Sequence, residues 1–110
     1  MSHASLPSPL EPFPDERGGE AGVDVARERL RAAGVEPWAW SNGPGDTYTA
    51  HQHATTKLLI CAVGSITFHV GATGTPVELR AGDGFVLPAG TLHAAVVGSG
   101  GCTCLEGHRS

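Results

Sequence analysis

Two histidines at alternate positions are the first residues in this chain whose types and spacing suggest chemistry. His51 and His53 flank Gln52, and alternate side chains of a β-strand project from the same face. Two imidazoles on one face can bind a single cation, since neutral histidine is a common ligand of divalent metals. An isolated pair of this kind is weak evidence for a metal site, so the surrounding residues decide the interpretation.

The surroundings contain two patterns of fixed spacing, separated by the 17 residues 65–81. The first is Gly45, five residues, His51-x-His53, three residues, Lys57, six residues and Gly64. The second is Gly82, five residues, Pro88-x-Gly90, two residues and His93. Glycines at such positions allow sharp turns and close backbone approach between strands. Residue types and intervals together make a much stronger signal than the histidine pair alone.

These patterns resemble the two motifs of the cupin family, G(X)5HXH(X)3–4E(X)6G and G(X)5PXG(X)2H(X)3N, over residues 37–106. The resemblance is to small single-domain members of the RmlC-like cupin superfamily, of the Cupin_2 type. It implies an all-β fold, the double-stranded β-helix or jelly-roll barrel, with a short N-terminal helix and a polar Pro-rich arm in front.

The resemblance also implies that His51, His53 and His93 bind one divalent metal ion inside the barrel. Iron, manganese, nickel and zinc all stay open, because histidine-rich sites follow metal availability as much as affinity. The alternative is that the three histidines are hydrogen-bonded side chains in an empty or sugar-binding barrel.

Two positions depart from the family pattern. Lys57 stands where the first motif has glutamate, and Val97 stands where the second has asparagine. An ammonium in place of a carboxylate ligand lowers metal affinity if it faces the ion. Lys57 is also the only lysine in the chain. Three interpretations stay open: an outward side chain at a strand end, a residue that binds an anionic substrate group, or a deprotonated base or nucleophile.

Further residues are candidates for the wall of a substrate pocket inside the barrel. They are Tyr48, Cys61, Phe68 and Phe85. Cys61 shares strand parity with Lys57, although an inert buried thiol is the favoured interpretation. Glu106 can in principle supply the missing carboxylate, because it shares a face of the last strand with Cys102 and Cys104. The sequence assigns no catalytic residue.

Short strands must position these residues. From Pro37 onward, β-branched and aromatic runs alternate with turn signals such as Gly71–Pro76 and Gly98–Gly101. Apolar residues at positions 66, 68 and 70 alternate with polar ones, which is typical of a half-buried strand. Many short strands with a turn about every 8–12 residues are typical of a small antiparallel barrel or sandwich.

The chain divides by composition into four segments. They are a flexible Pro- and Gly-rich arm (1–22), a short helix that packs on the barrel (23–36), the barrel (37–106) and a tail (107–110). The prolines prevent helical continuity in the arm. The helix is predicted over about 24–33, with Asp24 as its cap and Gly34 as its stop. The alternative is a solvated segment that folds only in part.

Charge is scarce in the barrel segment. Eleven of the eighteen charged residues lie within residues 1–36, and six lie within residues 37–106. Six charges are too few to give a free-standing barrel the usual mixed-charge surface. We therefore expect that the helix, the arm or a second subunit covers much of it, and that the protein is a homodimer.

Composition excludes several classes of function. The net charge is −4 and the pI is about 5.8, so the chain lacks the basic surface that nucleic acid binding requires. The longest apolar run is the six residues Leu58–Val63, whereas roughly 20 are needed to span a bilayer, and no signal-type leader opens the chain. A cytoplasmic protein without nucleic-acid or membrane partners is expected. Three cysteines without a CxxC pair argue against a disulfide framework or a structural zinc site.

The resemblance implies a metal-binding cupin that acts on a small anionic or chelating metabolite. A metal held by three neutral histidines keeps its full charge and leaves open positions, which suits bidentate anions. Three-histidine cupin sites are similar to those of thiol dioxygenases and diketone-cleaving dioxygenases, whereas other cupins are isomerases, lyases or binding modules. The alternative is a non-catalytic module that binds or senses a small molecule, with or without a metal. Fold alone does not choose between them.

Overall fold

The computed structural model describes residues 10–109 as one helix and seven strands. In chain order they are β1 (Glu11–Pro12), α1 (Val23–Ala32), β2 (Trp38–Asn42), β3 (Thr47–His51), β4 (Thr56–Val70), β5 (Thr75–Arg80), β6 (Gly84–Leu87) and β7 (His93–Arg109). All strand pairs are antiparallel, and the predicted all-β jelly-roll class is confirmed. Within residues 10–109, no helix is long and apolar enough to cross a membrane.

Two long strands, β4 and β7, hold the barrel together. They are 15 and 17 residues long and pair with each other from Thr56↔Arg109 to Val70↔His93. The first half of β4 also pairs with β6, and its second half pairs with β5. The first part of β7 also pairs with β3, and its later part pairs with β2. Residues at both ends of each long strand can therefore face the same interior.

Both long strands bend where Gly64 faces Gly101. Their φ angles are +79° and +76°, and a β-carbon on Gly64 would lie 2.0 Å from the carbonyl oxygen of Gly101. Register shifts flank Gly64, and the inward positions of β4 change from odd numbers, ending at Cys61, to even numbers, beginning at Ile66. A β-bulge has this effect because its extra residue is left out of the pairing.

The same change of parity occurs in β7, between Val97 and Cys102. The sequence-based assignment of Gly98–Gly101 as a break between strands is wrong, because β7 continues through these glycines. Here the backbone freedom of glycine allows a bend within a strand instead of a reversal of the chain.

Replacing Gly64 tests how much the bend matters. We expect Gly64→Ala to lower the free energy of unfolding by more than about 2 kcal/mol, because alanine is strained at positive φ and its methyl group overlaps the facing strand. Gly90→Ala is the matched control, since Gly90 has a φ of +76° and no atom within 4 Å of a built β-carbon. In that variant the free energy of unfolding should fall by only about 1–2 kcal/mol. Chemical denaturation measures both, and equal losses would contradict the importance of the close approach.

The apolar run of β4 is buried on both faces. Its side chains Leu59 and Cys61 point into the barrel, whereas Leu58, Ile60 and Ala62 belong to a second apolar cluster with α1. The helix contributes Ala26 and Leu30 to that cluster, and both are fully buried. A strand covered on two sides has no polar face, which explains the unbroken run.

The segment before α1 differs from the flexible arm predicted for residues 1–22. Residues 1–9 lie outside the described part of the chain, so the prediction is not tested there. From residue 10 onward the segment packs on the barrel: β1 pairs with β6, and Phe13 is 6% exposed. Its prolines exclude a helix but do not prevent this extended packing.

Arg29 of α1 gives the physical reason for that packing. Its side chain is 1% exposed and forms a two-pronged ion pair with Asp15, at 2.8 and 3.2 Å. Its Nη1 atom also donates to the carbonyl oxygens of Glu20 and Gly82, each at 2.9 Å. One guanidinium thus joins the N-terminal segment, the helix and the barrel.

The ends of two elements differ from their predicted limits. Helix α1 begins directly after Gly22, so Asp24 lies in its first turn and does not cap it with its side chain. Strand β7 runs to Arg109, so the tail predicted for 107–110 is part of the sheet, apart from Ser110, which lies outside the described residues. Gly107 packs directly against Val35 and Glu36, which explains why the strand continues.

Candidate metal centre

Three histidines converge beside the barrel interior. His51 ends β3 and is paired with His93, the first residue of β7, while a bulge follows Tyr48 in β3. His53 follows His51 after one residue. One ring nitrogen from each histidine lies within 4.8 Å of those of the other two. The structure thus brings together the three histidines that the family resemblance assigns to a metal.

Backbone carbonyls orient two of the rings. The Nδ1 atom of His51 lies 2.7 Å from the carbonyl oxygen of Thr49, and Nδ1 of His93 lies 3.0 Å from that of Thr91. A carbonyl oxygen only accepts hydrogen bonds, so each Nδ1 must carry the proton and donate. The Nε2 atom of each ring then keeps its lone pair for a metal, and this use of the second nitrogen is the usual support of a histidine ligand.

Burial favours the neutral rings that a metal requires. Desolvation lowers the pKa of His93, which is 5% exposed, and the neighbouring histidines lower it further. Desolvation also lowers the pKa of His53, with a smaller effect from the positive charge of Lys57. Protons therefore compete with a metal for these two nitrogens only at a pH below the ordinary histidine range.

The donor set fits a divalent transition metal. Two nitrogens bound to one zinc ion at about 2.1 Å are at most about 4.2 Å apart, so small side-chain rotations bring the three rings into range. Imidazole ligands suit zinc, iron, nickel and copper. Because all three ligands are neutral, the charge of a bound ion would not be compensated by the protein.

The histidines line a cavity of about 230 Å³. Its other lining residues are Trp40, Tyr48, Lys57, Leu59, Phe68, Leu87, Ala95 and Glu106. Most of this wall is aromatic or aliphatic, and its polar groups are few and close together, as is typical of small-molecule sites. The volume corresponds to about eight waters of about 30 Å³ each, and the cavity is partly open to solvent, with His51 exposed.

Two of the four predicted pocket residues, Tyr48 and Phe68, line this cavity. Tyr48 packs edge-on against Trp40 and donates a hydrogen bond to Asn42. Cys61 and Phe85 do not line it, which corrects their assignment to the wall. Both are fully buried in the apolar core, and Phe85 packs behind the ring of Phe68.

The three cysteines form a buried group of free thiols below the cavity wall. Cys61 is paired with Cys104 across β4 and β7, and its thiol donates to backbone carbonyls. Burial raises the pKa of Cys102, and the contact with Cys61 together with burial raises that of Cys104. A raised pKa makes Cys102 and Cys104 poor nucleophiles. The contact with Cys104 lowers the pKa of Cys61 instead, although its thiol stays fully buried.

Lys57 points into the cavity, which excludes the outward, solvated orientation. Its side chain is 11% exposed, and Nζ donates to Oε2 of Glu106 at 2.8 Å. Nζ also lies 4.5 Å from the centroid of the Trp38 ring, a cation–π arrangement. A charged ammonium satisfies both contacts, whereas a neutral amine nucleophile would lose the ion pair.

Glu106 reaches the cavity but is already engaged. Its Oε1 accepts a hydrogen bond from Nε1 of Trp40 at 2.8 Å, and its Oε2 accepts from Lys57. The sequence drew attention to both charged residues separately but did not predict that they pair. Their partnership follows from the register of β4 on β7, where Leu59 faces Glu106 and Lys57 lies two residues away.

The comparisons with known proteins agree with this architecture. A family model described as a cupin domain matches residues 40–105. No curated protein sequence is significantly similar to the chain. Solved structures resemble it at low sequence identity, which is evidence of a shared fold.

Three of these structures show the range of proteins that share the fold. A cupin superfamily protein from Desulfitobacterium hafniense is 19% identical, with a TM-score of 0.58 over 66% of this chain and 63% of that one. The DMSP lyase DddQ from Ruegeria pomeroyi is 22% identical, with a TM-score of 0.62 over 69% and 38%. YcfD, a ribosomal oxygenase from Escherichia coli, is 18% identical, with a TM-score of 0.64 over 76% and 26%.

The chain thus spans less than two thirds of each of these three proteins. The family model, in contrast, covers more than half of the chain and includes His51, His53 and His93. The match of the family model, together with the strands and the histidine cluster of this structure, shows that the chain belongs to the cupin family.

Proposed function

We propose that this cupin binds one divalent metal ion through His51, His53 and His93 and uses it to bind a small anionic or chelating metabolite. The observation that carries the proposal is the position of the three histidines, whose ring nitrogens lie within 4.8 Å of one another beside a small cavity. The hydrogen bonds of His51 and His93 to backbone carbonyls support it, because they fix the tautomer that a ligand needs.

The chain's own residues set the chemistry of the cavity. Three neutral imidazoles leave the charge of an ion to be balanced by the ligand, which favours anions. Leu59, Phe68 and Leu87 form an apolar wall on one side of it, where electrostatic contacts are stronger than in bulk solvent. When bound, such a metal supplies Lewis-acid polarisation or, if it is iron, reaction with dioxygen.

The reaction class follows from neither the fold nor the histidines. Similar folds occur in a DMSP lyase and in a ribosomal oxygenase, so oxygenase, isomerase and lyase chemistry are the enzymatic candidates. The second candidate is a module that binds or senses a metabolite without changing it. The engagement of both Lys57 and Glu106 favours this candidate, because among residues 10–109 the cavity wall then has no unpaired carboxylate beside the histidines to act as a base.

Metal content and ligand turnover test the proposal together. We expect protein purified without chelator to contain close to one equivalent of a transition metal, and metal-stripped protein to regain it on titration. Iron-loaded protein is then assayed for dioxygen uptake with a panel of thiols and diketones. Uptake supports the oxygenase candidate, and stoichiometric metal with no uptake counts against it. Protein that neither carries nor regains any metal would refute the metal site.

A further inference from the structure

The ammonium group of Lys57 has hydrogen-bonding capacity that the fold does not use. Among residues 10–109, Glu106 is the only acceptor for its three N–H donors. The face of Trp38 covers another side of Nζ. Lys57 nevertheless lines the same cavity as the three histidines. A lysine placed in this way can bind a further acceptor inside the cavity.

From this arrangement we infer that Lys57 binds a carboxylate of the ligand, and that the ligand is a short dicarboxylate with a chelating 2-hydroxy or 2-oxo acid at its other end. The inference rests on the proposed metal site, which would bind the chelating end. Lys57 is then a specificity-determining residue, since it distinguishes a dicarboxylate from the corresponding monocarboxylate.

The contacts of Lys57 and Glu106 hold the ammonium ready for such a ligand. Trp40 fixes one carboxylate oxygen of Glu106 at 2.8 Å, and Lys57 occupies the other at 2.8 Å. The side chains of Lys57 and Glu106 are only 11% and 13% exposed, so neither moves freely in solvent. Binding to a group that is already positioned loses less conformational entropy than binding to a mobile lysine.

Charge balance favours two carboxylates over one. The ion pair of Lys57 with Glu106 is neutral, and the three histidines are neutral in the form that binds metal. A dianion therefore cancels the charge of a divalent ion, whereas a monoanion compensates only half of it. Next to the apolar wall of Leu59, Phe68 and Leu87, an uncompensated charge costs more free energy than it does in bulk water.

Cavity size is compatible with such a ligand. A volume of about 230 Å³ admits a chain of about three or four carbons with its oxygens, given about 30 Å³ for each water it displaces. The two ends of a short dicarboxylate would then meet the histidines and Lys57 within one cavity.

Malate and lactate form a matched pair of probes. Both have a 2-hydroxy acid, and only malate has a second carboxylate. Their binding to Co²⁺-loaded protein is followed by calorimetry and by the visible absorption of the metal. We expect malate to bind at least about tenfold more tightly than lactate, which is the usual magnitude for a charged hydrogen bond. Lys57→Met should remove this preference.

Two further variants isolate the effect of Lys57. Arg80→Met removes a positive charge from the surface, where Arg80 is 76% exposed, and should preserve the preference for malate. Lys57→Met with Glu106→Gln removes both members of the pair and leaves no unpaired carboxylate in the wall. It should bind malate and lactate equally, and it provides a folded test if the single variant is unstable.

Because Lys57 is the only lysine, labelling with [¹³Cε]lysine gives one lysine resonance that reports on this residue alone. Malate should shift that resonance and lactate should not. Equal affinities for the two probes in the wild type, or an unchanged preference in Lys57→Met, would overturn the inference while the metal site stands. Failure of the wild type to bind Co²⁺ would overturn the proposed function and the inference with it.

Discussion

Replacing His93 with alanine is expected to lower the affinity for Co²⁺ or Zn²⁺ by more than about a hundredfold. Loss of a residue that only supports a ligand already costs about 10- to 100-fold, and His93 would be a ligand itself. Its ring is the most buried of the three, its Nδ1 is fixed by Thr91, and it faces His51 across the sheet. A double variant, His51→Ala with His93→Ala, should retain no measurable binding.

His69→Ala provides the matched control for this experiment. His69 lies near the end of β4, where its ring contacts the carbonyl oxygen of Gly74 in the turn before β5. It is not part of the histidine cluster, so its removal should leave metal affinity within about twofold, well inside the cost of losing even a supporting residue. Metal titration of the wild type and the three variants, with circular dichroism to check the fold, measures these affinities. Wild-type affinity in the His93 variant would show that the cluster does not hold the metal.

Arg29→Met is expected to produce the largest loss of stability in the chain. Removing one partner of a buried ion pair costs about 3–5 kcal/mol, because the remaining charge is left uncompensated. Here Asp15 would lose its only ion-pair partner in residues 10–109, and the carbonyl oxygens of Glu20 and Gly82 would each lose a donor. A loss of this size should lower the melting temperature by at least about 12 °C.

Arg31→Met is the control, since Arg31 also lies on α1 but is 58% exposed and pairs with a surface glutamate at 3.7 Å. Its removal should change the free energy of unfolding by no more than about 0.5 kcal/mol. Adding Asp15→Asn to Arg29→Met should recover part of the loss, because the orphaned carboxylate becomes neutral. Thermal and chemical denaturation of the four proteins measure these differences. Similar stabilities of the two arginine variants would show that the buried contacts do not hold the N-terminal segment.

The fold was predictable where the residues of a single strand show an alternating apolar pattern. Ile66, Phe68 and Val70 alternate in the sequence, and the structure places all three in the barrel core. The packed segment before α1 was not predictable, because it depends on Arg29 meeting residues far away in the chain. The interpretation of Gly98–Gly101 as a break between strands was wrong for a related reason. Glycines permit both turns and bends, and the contact with β4, where Gly64 lies against Gly101, determines which of the two occurs.

The candidate metal centre was likewise predictable only in part. The resemblance of the two motifs to those of cupins indicated His51, His53 and His93, since short-range patterns fix their positions in the motifs. The partnership of Lys57 with Glu106 spans 49 residues and depends on the register between two strands, which the sequence does not display. The homodimer and the cytoplasmic location stay predictions.

The change of parity at the bulge has a consequence for how this barrel can vary. In β7, His93 and Glu106 face the same cavity although one number is odd and the other even, because the glycine-rich bend shifts the alternation by one residue between them. Deleting a single residue from Gly98–Gly101 would remove the extra residue, so that strict alternation from Val97 keeps Cys102 and Glu106 inward in a strand without the bulge. A length change of one residue at that bend would therefore alter the course of the strand while it leaves the histidines and the polar wall of the cavity in place.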